Sequence, residues 1–349
     1  MRDFWVGCYA PTGTPSLRRL RWSPGARTLT SVVDNAALTN PSFLAARADG
    51  RFLYAVSEVE TGEGAVAAFA VEAEGLRLIN TVPSGGRIPC HVTVTPDERA
   101  LLVTNYGTGS VGVFPLDAGG PVKGLWSLTQ LSGSGPVTVR QEAAHTHQTL
   151  FASPTLALVC DLGADRLFRF TWSGQRMALS LATPPSLNSL PGAGPRHACV
   201  HPTLGAILVA NELDSTLSVF DASGRMTQNV ATTRTDNHGT NYPAHIALTP
   251  DGGFVLVSNR GDDTIAVYRI DPASGVIKRV GYAAAGGAWP RHFAILDADG
   301  RGGQPWHVVA ACQRGNCVTV LPLDAATGMP GPAVARLDVP APGCILPIP

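Results

Sequence analysis

The sequence predicts an all-β protein, a seven-bladed β-propeller made of four-stranded antiparallel blades. Three observations predict this fold class: a short phrase that recurs along the chain, turn residues at fixed places within each repeat, and apolar strand patterns without helical periodicity. The recurrence is the most informative of the three, because a fixed period of roughly 40–50 residues is typical of propellers and solenoids.

The recurring phrase is Pro-x-His. Four copies and two variants give six slots: Pro41-Ser42-Phe43, Pro89-Cys90-His91, His145-Thr146-His147, Pro195-Arg196-His197, Pro243-Ala244-His245 and Pro290-Arg291-His292. Counted from Phe43, the third residues of successive slots are 48, 56, 50, 48 and 47 positions apart. We expect each slot to open the first strand of a blade, so that blades start near residues 41, 89, 145, 195, 243 and 290.

The repeat that begins at Pro243 shows how one blade is built. The segment 245–249 alternates apolar and polar residues as a strand does, and Pro250-Asp251-Gly252 supplies a turn. The run 254–259 is almost continuously apolar, which is typical of a strand covered on both faces. After a second turn, 264–270 alternates again, and the variable connection that follows can hold an outer fourth strand.

The two chain ends are expected to complete the seventh blade. Residues 1–40 and 325–349 lie outside the six repeats, and the apolar segments 6–9 and 343–346 could pair within one sheet. Such closure would leave no exposed sheet edge, which all-β chains need to avoid. We therefore expect a single domain over 1–349; the alternative is an open β-sandwich array.

Composition excludes several classes of partner. The chain carries 26 basic and 26 acidic residues without a basic run, so we expect no nucleic-acid partner. We also expect no membrane association, since neither a signal peptide nor a bilayer-spanning stretch is visible. The seven cysteines are scattered singly, which favours free thiols and a cytoplasmic location. Oligomeric state cannot be predicted.

Blade geometry predicts where the chemistry lies. In a propeller blade the first strand lines the central channel, and the hairpin returns the end of the second strand beside the start of the first. Polar side chains at both places should therefore meet at one channel mouth, which is the usual form of a small-molecule site. They are His91, His147, Arg196, His197, His245, Arg291 and His292 from first strands, and Tyr106, Glu212 and Arg260 from second strands.

The residue types indicate binding of an anion and proton transfer. Arginine offers a planar set of donors for phosphate or carboxylate oxygens, and histidine beside a carboxylate transfers protons near neutral pH. For any single histidine a structural hydrogen bond to a neighbouring blade is the alternative, and Arg196, Glu212 and Arg260 could form a structural ion pair. We expect no metal and no cofactor, because no tight ligand cluster appears in the sequence.

Several stretches resemble the lactonase-type seven-bladed propellers, which include bacterial propeller-type 6-phosphogluconolactonases and, more distantly, fungal carboxy-cis,cis-muconate cyclases. The resemblance spans roughly residues 40–324 and is carried by Gly194-Pro195-Arg196-His197, Asn211-Glu212-Leu213, Ser258-Asn259-Arg260-Gly261, Asn105-Tyr106-Gly107, and His147 ahead of Asp161-Leu162-Gly163-Ala164-Asp165-Arg166. It implies His147, Arg196, Glu212 and Arg260 as catalytic residues. From their expected place at the channel mouth, we predict that His91, Tyr106, His197, His245, Arg291 and His292 bind the substrate. His245 stands where many relatives carry a carboxylate, and His145 is the alternative to His147.

The resemblance implies a hydrolase that converts 6-phospho-D-glucono-1,5-lactone to 6-phosphogluconate, a reaction of the pentose phosphate pathway. In this hypothesis the arginines hold anionic oxygens, Glu212 or His147 takes a proton from water, and His147 protonates the leaving oxygen. Two alternatives stay open. One is a muconate-type cycloisomerase that uses the same residues, and the other is a propeller that only binds a partner.

Overall fold

The computed structural model describes residues 1–234, 240–297 and 302–348. Over these residues the backbone forms 28 β-strands and one short 3-10 turn, Tyr106–Thr108. The strands make seven four-stranded sheets, so the seven-bladed β-propeller of antiparallel blades is confirmed. Six sheets each take four consecutive strands; they are called sheets 1 to 6 here, and the seventh is called the terminal sheet.

The backbone contacts divide the described residues into two compact units, within 1–6, 19–32 and 196–348 (the first unit) and within 7–18 and 33–195 (the second unit). Sheets 1 to 3 belong to the second unit. Their strands are β4 (Leu44–Ala46), β5 (Phe52–Ser57), β6 (Ala65–Glu72) and β7 (Gly75–Pro83); β8 (Pro89–Val94), β9 (Ala100–Asn105), β10 (Ser110–Pro115) and β11 (Ser127–Gln130); β12 (Thr146–Ser153), β13 (Leu156–Asp161), β14 (Arg166–Ser173) and β15 (Ala178–Asn188).

Sheets 4 to 6 belong to the first unit. Their strands are β16 (Pro195–Val200), β17 (Ile207–Asn211), β18 (Thr216–Phe220) and β19 (Met226–Ala231); β20 (Tyr242–Leu248), β21 (Phe254–Arg260), β22 (Thr264–Ile270) and β23 (Ile277–Ala284); β24 (Pro290–Leu296), β25 (Trp306–Cys312), β26 (Cys317–Leu323) and β27 (Ala335–Asp338).

The terminal sheet joins the two chain ends. Its order is β28 (Pro342–Pro347), β1 (Arg2–Cys8), β2 (Leu17–Ser23) and β3 (Thr28–Asn35). The predicted pairing of the terminal segments is therefore confirmed. Of the segment 325–349, only β28 joins this sheet, because β27 pairs with β26 as the outer strand of sheet 6. Strand β28 begins at a proline, Pro342, just as β8, β16 and β24 begin at the prolines of their slots. Pro342-Gly343-Cys344 is therefore a seventh slot, which the sequence analysis did not identify.

Strand β21 shows why the second strand of a blade is apolar throughout. Phe254 and Leu256 pack into a core cluster with β24, β25 and β26, whereas Val255 and Val257 pack into another cluster with β17 and β18. Successive side chains of a strand point to opposite faces. A strand between two packed sheets therefore needs an apolar residue at every position, as the sequence predicted.

Four of the slots contain β-bulges. The pairing of first and second strands shifts by one or more residues between Pro89 and His91, between Thr146 and Gln148, between Pro243 and Ile246, and between Pro290 and His292. A bulge leaves an extra residue unpaired and turns its side chain away from the regular alternation. In sheets 2, 3 and 6 the extra residues are Cys90, His147 and Arg291. Strand pairing therefore moves this slot by one residue, to Thr146-His147-Gln148. His147 is its middle residue, and Gln148 occupies the third position that the repeat spacing predicted for His147.

Candidate functional site

Three charged side chains form a buried cluster in the first unit. Oε2 of Glu212 lies 2.9 Å from Nε of Arg196 and accepts a 2.6 Å hydrogen bond from Nη2 of Arg260. Arg196, Glu212 and Arg260 are 2%, 5% and 6% exposed, so the ion pairs are shielded from water. The structure thus brings together three of the four residues predicted to be catalytic, and they are called the arginine–glutamate cluster below.

The cluster depends on two neighbouring sheets. Arg196 is the second residue of β16 and Glu212 follows β17, both in sheet 4, whereas Arg260 ends β21 in sheet 5. Nη1 of Arg196 donates to the carbonyl of Ala244 in the sheet 5 bulge, and Nε of Arg260 donates to the carbonyl of Tyr242 at 3.2 Å. Each arginine is therefore held by the backbone of sheet 5 as well as by the carboxylate, which fixes both guanidinium planes.

The ionised groups of the cluster stabilise one another. Two guanidiniums face one carboxylate, and opposite charges this close favour the ionised form of each group. A guanidinium also carries several N–H donors in one plane, which suits binding of a carboxylate or phosphate and stabilisation of a tetrahedral intermediate.

Three histidines of the first unit form a row beside the arginines. Nδ1 of His197 lies 2.9 Å from Nδ1 of His245, and the His245 ring stacks on His292 with centroids 3.8 Å apart. The backbone N–H of Ile345 donates to Nδ1 of His292 at 3.3 Å, so that nitrogen is an acceptor. Burial, reinforced by the charge of Arg196, lowers the pKa of His245 to about 3. His245 is consequently neutral near pH 7.

Two aromatic residues next to Arg260 were not among the predicted site residues. The guanidinium carbon of Arg260 lies 5.8 Å from the ring centre of Tyr242 and 5.6 Å from that of Trp289. Tyr242 and Trp289 directly precede the slot prolines of sheets 5 and 6. A search of the residue before each slot for aromatic side chains would have found both. Arg291, which was predicted, is partly buried in the bulge of β24.

The other predicted residues belong to the second unit. His147 is 6% exposed, and its ring centre lies 5.8 Å from that of Tyr106. Tyr106 also stacks on His145 at 4.6 Å. Nδ1 of His145 lies 3.0 Å from the carbonyl of Tyr106, and its Nε2 lies 3.0 Å from the carboxylate of Glu142. Both ring nitrogens of His145 thus have structural partners. His91 is buried and stacks on Phe43 at 4.1 Å.

The asparagines at the ends of second strands bond to the loops around them. Nδ2 of Asn259 donates to the carbonyl of Thr232 at 2.6 Å, and Nδ2 of Asn105 donates to that of Ser84 at 3.2 Å. In sheet 3 the equivalent residue is Asp161, whose Oδ1 accepts the backbone N–H of His145 at 2.8 Å. Burial raises the pKa of Asp161. These residues hold the turns that carry the functional side chains.

Groups of three or more histidine, cysteine or carboxylate side chains arranged to hold a metal ion do not occur among the residues that the structure describes. Over the same residues, no helix is long and apolar enough to cross a lipid bilayer.

Comparison with known proteins shows how widely this architecture is shared. Residues 3–347 match the family model described as lactonase, 7-bladed beta-propeller. The chain is 29% identical to the 6-phosphogluconolactonase of Bacillus subtilis (strain 168), over 98% of this chain and 97% of that protein. It is 31% identical to the 6-phosphogluconolactonase of Formosa agariphila, over 87% of this chain and 86% of that protein.

Among solved structures, the periplasmic gluconolactonase PpgL of Pseudomonas aeruginosa superposes on the chain with a TM-score of 0.91. The two are 25% identical in sequence, and the match covers 100% of this chain and 99% of that one.

Proposed function

Because the chain belongs to the lactonase family of seven-bladed β-propellers, we propose that it is a 6-phosphogluconolactonase-like lactone hydrolase. Its substrate in this proposal is 6-phospho-D-glucono-1,5-lactone and its product is 6-phosphogluconate. The observation that carries the proposal is the buried arginine–glutamate cluster, in which two fixed guanidiniums lie against one carboxylate. The names of the Bacillus subtilis and Formosa agariphila relatives support it.

The arginines would stabilise the charge that develops during hydrolysis. Water adds to the lactone carbonyl, the carbonyl oxygen becomes an oxyanion, and the bond from the carbonyl carbon to the ring oxygen then breaks. Donors fixed before the reaction stabilise such an oxyanion strongly, because they need no reorganisation as charge develops. Arg196 and Arg260 are fixed in this way by Glu212 and by backbone carbonyls.

Glu212 has two conceivable roles, proton acceptor or support for the arginines. Its Oε2 already lies within hydrogen-bond distance of two guanidiniums, which stabilise the carboxylate and weaken it as a base. This contact favours the supporting role. We therefore propose that Glu212 orients Arg196 and Arg260, and that an imidazole accepts the proton from the attacking water.

We propose His147 as the histidine that accepts this proton and later gives it to the ring oxygen, an assignment that rests on the family resemblance. The structure supports the choice of His147 over His145, because both ring nitrogens of His145 have structural partners. His245 is a poor candidate for proton transfer, since a group with a pKa of about 3 is a weak base near neutral pH. We assign His197, His245 and His292 to substrate binding.

The experiment is a pH-stat assay of lactone opening with 6-phosphogluconolactone and with plain gluconolactone, each with and without a chelator. We expect the purified protein to open the phosphorylated lactone well above its spontaneous rate. Absence of acceleration with both lactones would reject the proposal. Loss of a conjugated diene from a muconate-type diacid, without lactone hydrolysis, would indicate a cycloisomerase.

A cytoplasmic location is also part of the proposal. None of the seven cysteines, all of which the structure describes, is part of a disulfide, which suits a reducing compartment. Fractionation of cells that produce the untagged protein tests this, and recovery outside the cytoplasm would contradict it.

A further inference from the structure

Three residues of the first unit lie beside the arginine–glutamate cluster and have no part in the mechanism above. Trp289 precedes β24, and Gln313 and Arg314 lie in the turn between β25 and β26. The backbone N–H of Gln313 donates to the carbonyl of Trp289, and that of Gly315 donates to the carbonyl of Ala288, both at 2.9 Å. These bonds hold the turn against the segment that carries the tryptophan.

The fold fixes the backbone of Trp289. Its N–H donates to Oδ1 of Asp263 at 2.7 Å, and its φ is 62°. Asn40, Ile88, Gly194 and Ala341 also have positive φ, and each likewise precedes the proline of its slot. The left-handed conformation thus recurs before five of the slot prolines, and at Trp289 it sets the direction in which the side chain leaves the backbone.

The Trp289 ring connects the buried cluster to an exposed cation. The guanidinium carbon of Arg314 lies 3.5 Å from the ring centre of Trp289, and that of Arg260 lies 5.6 Å from the same ring. The two guanidinium carbons are thus no farther apart than the sum of these distances. Arg314 makes no ion pair with any of the described residues, so stacking holds it while its N–H groups can bind an anion.

Gln313 offers a hydrogen-bond acceptor in the same place. Its side-chain oxygen is buried and has no hydrogen-bond partner within 1–234, 240–297 and 302–348. Gln313 is the counterpart in sheet 6 of Glu212 and Arg260, because each of the three directly follows the last paired residue of its second strand. These last pairs are Cys312 with Cys317, Asn211 with Thr216, and Asn259 with Thr264. Buried acceptors are normally satisfied, and an orphan next to a site suggests that a ligand supplies the donor.

We propose that Trp289, Gln313 and Arg314 form a subsite for the phosphorylated end of the substrate. The indole ring packs on the sugar, the Gln313 oxygen accepts a sugar hydroxyl, and Arg314 binds the phosphate. This inference rests on the proposed function and deepens it, because it names the residues by which the protein would distinguish a phosphorylated sugar lactone from a plain one.

Arg314→Gln tests the phosphate contact. We expect kcat/KM for 6-phosphogluconolactone to fall about tenfold, as loss of one charge-assisted hydrogen bond at an exposed position would cause, and kcat/KM for plain gluconolactone to change less than twofold. Arg279→Gln is the matched control, since Arg279 is also exposed and stacks on an aromatic ring, that of Tyr282 at 5.3 Å. The control should leave both values unchanged.

Gln313→Leu tests the hydroxyl contact. Both lactones carry the hydroxyl, so kcat/KM should fall for both by a similar factor. Because the substitution removes an unsatisfied buried acceptor, Tm should stay the same or rise. A purely structural role for Gln313 would lower Tm, and that result would contradict the proposal.

Calorimetric binding of 6-phosphogluconate and gluconate separates this inference from the proposed function. If the wild-type protein hydrolyses no lactone but binds 6-phosphogluconate, and Arg314→Gln weakens that binding about tenfold, the subsite stands and the proposed function falls. If Arg314→Gln affects phosphorylated and plain ligands equally, or neither, the subsite is wrong even where hydrolysis is observed. A wild-type protein that binds neither ligand overturns the subsite as well.

Discussion

At the scale of single residues, the main feature is that two arginines share one carboxylate oxygen under almost complete burial. Buried ion pairs add little net stability, because desolvation of the charges offsets most of their attraction. Arg196, Glu212 and Arg260 therefore add little to the free energy of unfolding, and stability alone does not explain why they are buried together. We propose instead that the two arginines are preorganised donors for a substrate oxyanion.

His245 allows a test of the electrostatics at this scale. Its pKa of about 3 in the folded protein lies below the ordinary value of 6.5, so between these pH values the unfolded chain binds a proton that the folded protein excludes. Above pH 6.5 the imidazole is neutral in both states, so the free energy of unfolding does not depend on its titration. Below pH 6.5 only the unfolded chain gains the proton, and the free energy of unfolding therefore falls as the pH drops. We expect His245→Gln to reduce the loss of unfolding free energy between pH 7.5 and pH 5 by about 2 kcal/mol.

Urea unfolding of both proteins at the two pH values measures this difference. The comparison within each protein cancels any constant cost of the substitution. An identical pH dependence in wild type and His245→Gln would show that the imidazole is not shielded as described.

The sequence indicated Arg196, Glu212 and Arg260 because the repeat does not require a charged residue at their positions. A charged residue at such a position suggests a function beyond forming the blade. It did not indicate Tyr242, since aromatic residues before the slots have no periodic pattern. The contact between Trp289 and Arg260 depends on a left-handed backbone before Pro290, a conformation that no residue type in Trp289-Pro290 signals.

At the scale of the element, the bulge at the start of the first strand is the feature that shapes the site. The extra residue turns one side chain out of the alternating pattern. In sheet 5 the carbonyl of Ala244, which lies in the bulge, accepts a hydrogen bond from the guanidinium of Arg196. The step from His91 to His147 is 56 residues, longer than the other steps between slots. Either an insertion in the preceding connection or a one-residue shift of the slot along its strand would lengthen it, and the spacing alone does not distinguish the two. Strand pairing shows that His147 is the bulged residue and Gln148 its regular neighbour.

The turn after β21 allows a test at this scale. Gly261 has φ +106°, and a Cβ there would collide with the carbonyl oxygen of Thr240. We expect Gly261→Ala to destabilise the fold by about 2 kcal/mol or more and to lower activity by displacing Arg260. Thermal unfolding and the lactone assay measure both effects.

Gly13→Ala is the matched control, since Gly13 has φ +88° with open space around its Cβ position. It should show only the backbone cost, about 1 kcal/mol, with activity retained. Equal destabilisation by the two substitutions would contradict the collision with Thr240.

At the scale of the whole molecule, the terminal sheet joins the last strand to the first. β28 pairs with β1, so the sheet exists only when both chain ends are in place. The fold class, the repeat and this pairing could be predicted because they follow from period and apolar pattern, which are properties of the sequence. The outer position of β27 could not, because the last turns lack a distinctive spacing.

Removal of β28 tests the closure. Deletion of 342–349 would expose the edge of β1, and exposed edges promote association between chains. We expect a large fall in Tm and an increase in light scattering, both partly reversed by a synthetic peptide of residues 342–349. A truncated protein with the same oligomeric state and the same Tm as the full-length protein would contradict the role assigned to this strand.

The central claim is that the arginine–glutamate cluster stabilises the transition state of lactone opening, and the most direct test is kcat/KM of Arg260→Gln for 6-phosphogluconolactone. We predict a loss of about 10²–10³-fold, the usual effect of removing one oxyanion donor, with Tm close to that of the wild type and Arg279→Gln fully active. A folded Arg260→Gln protein within twofold of wild-type kcat/KM would contradict the claim.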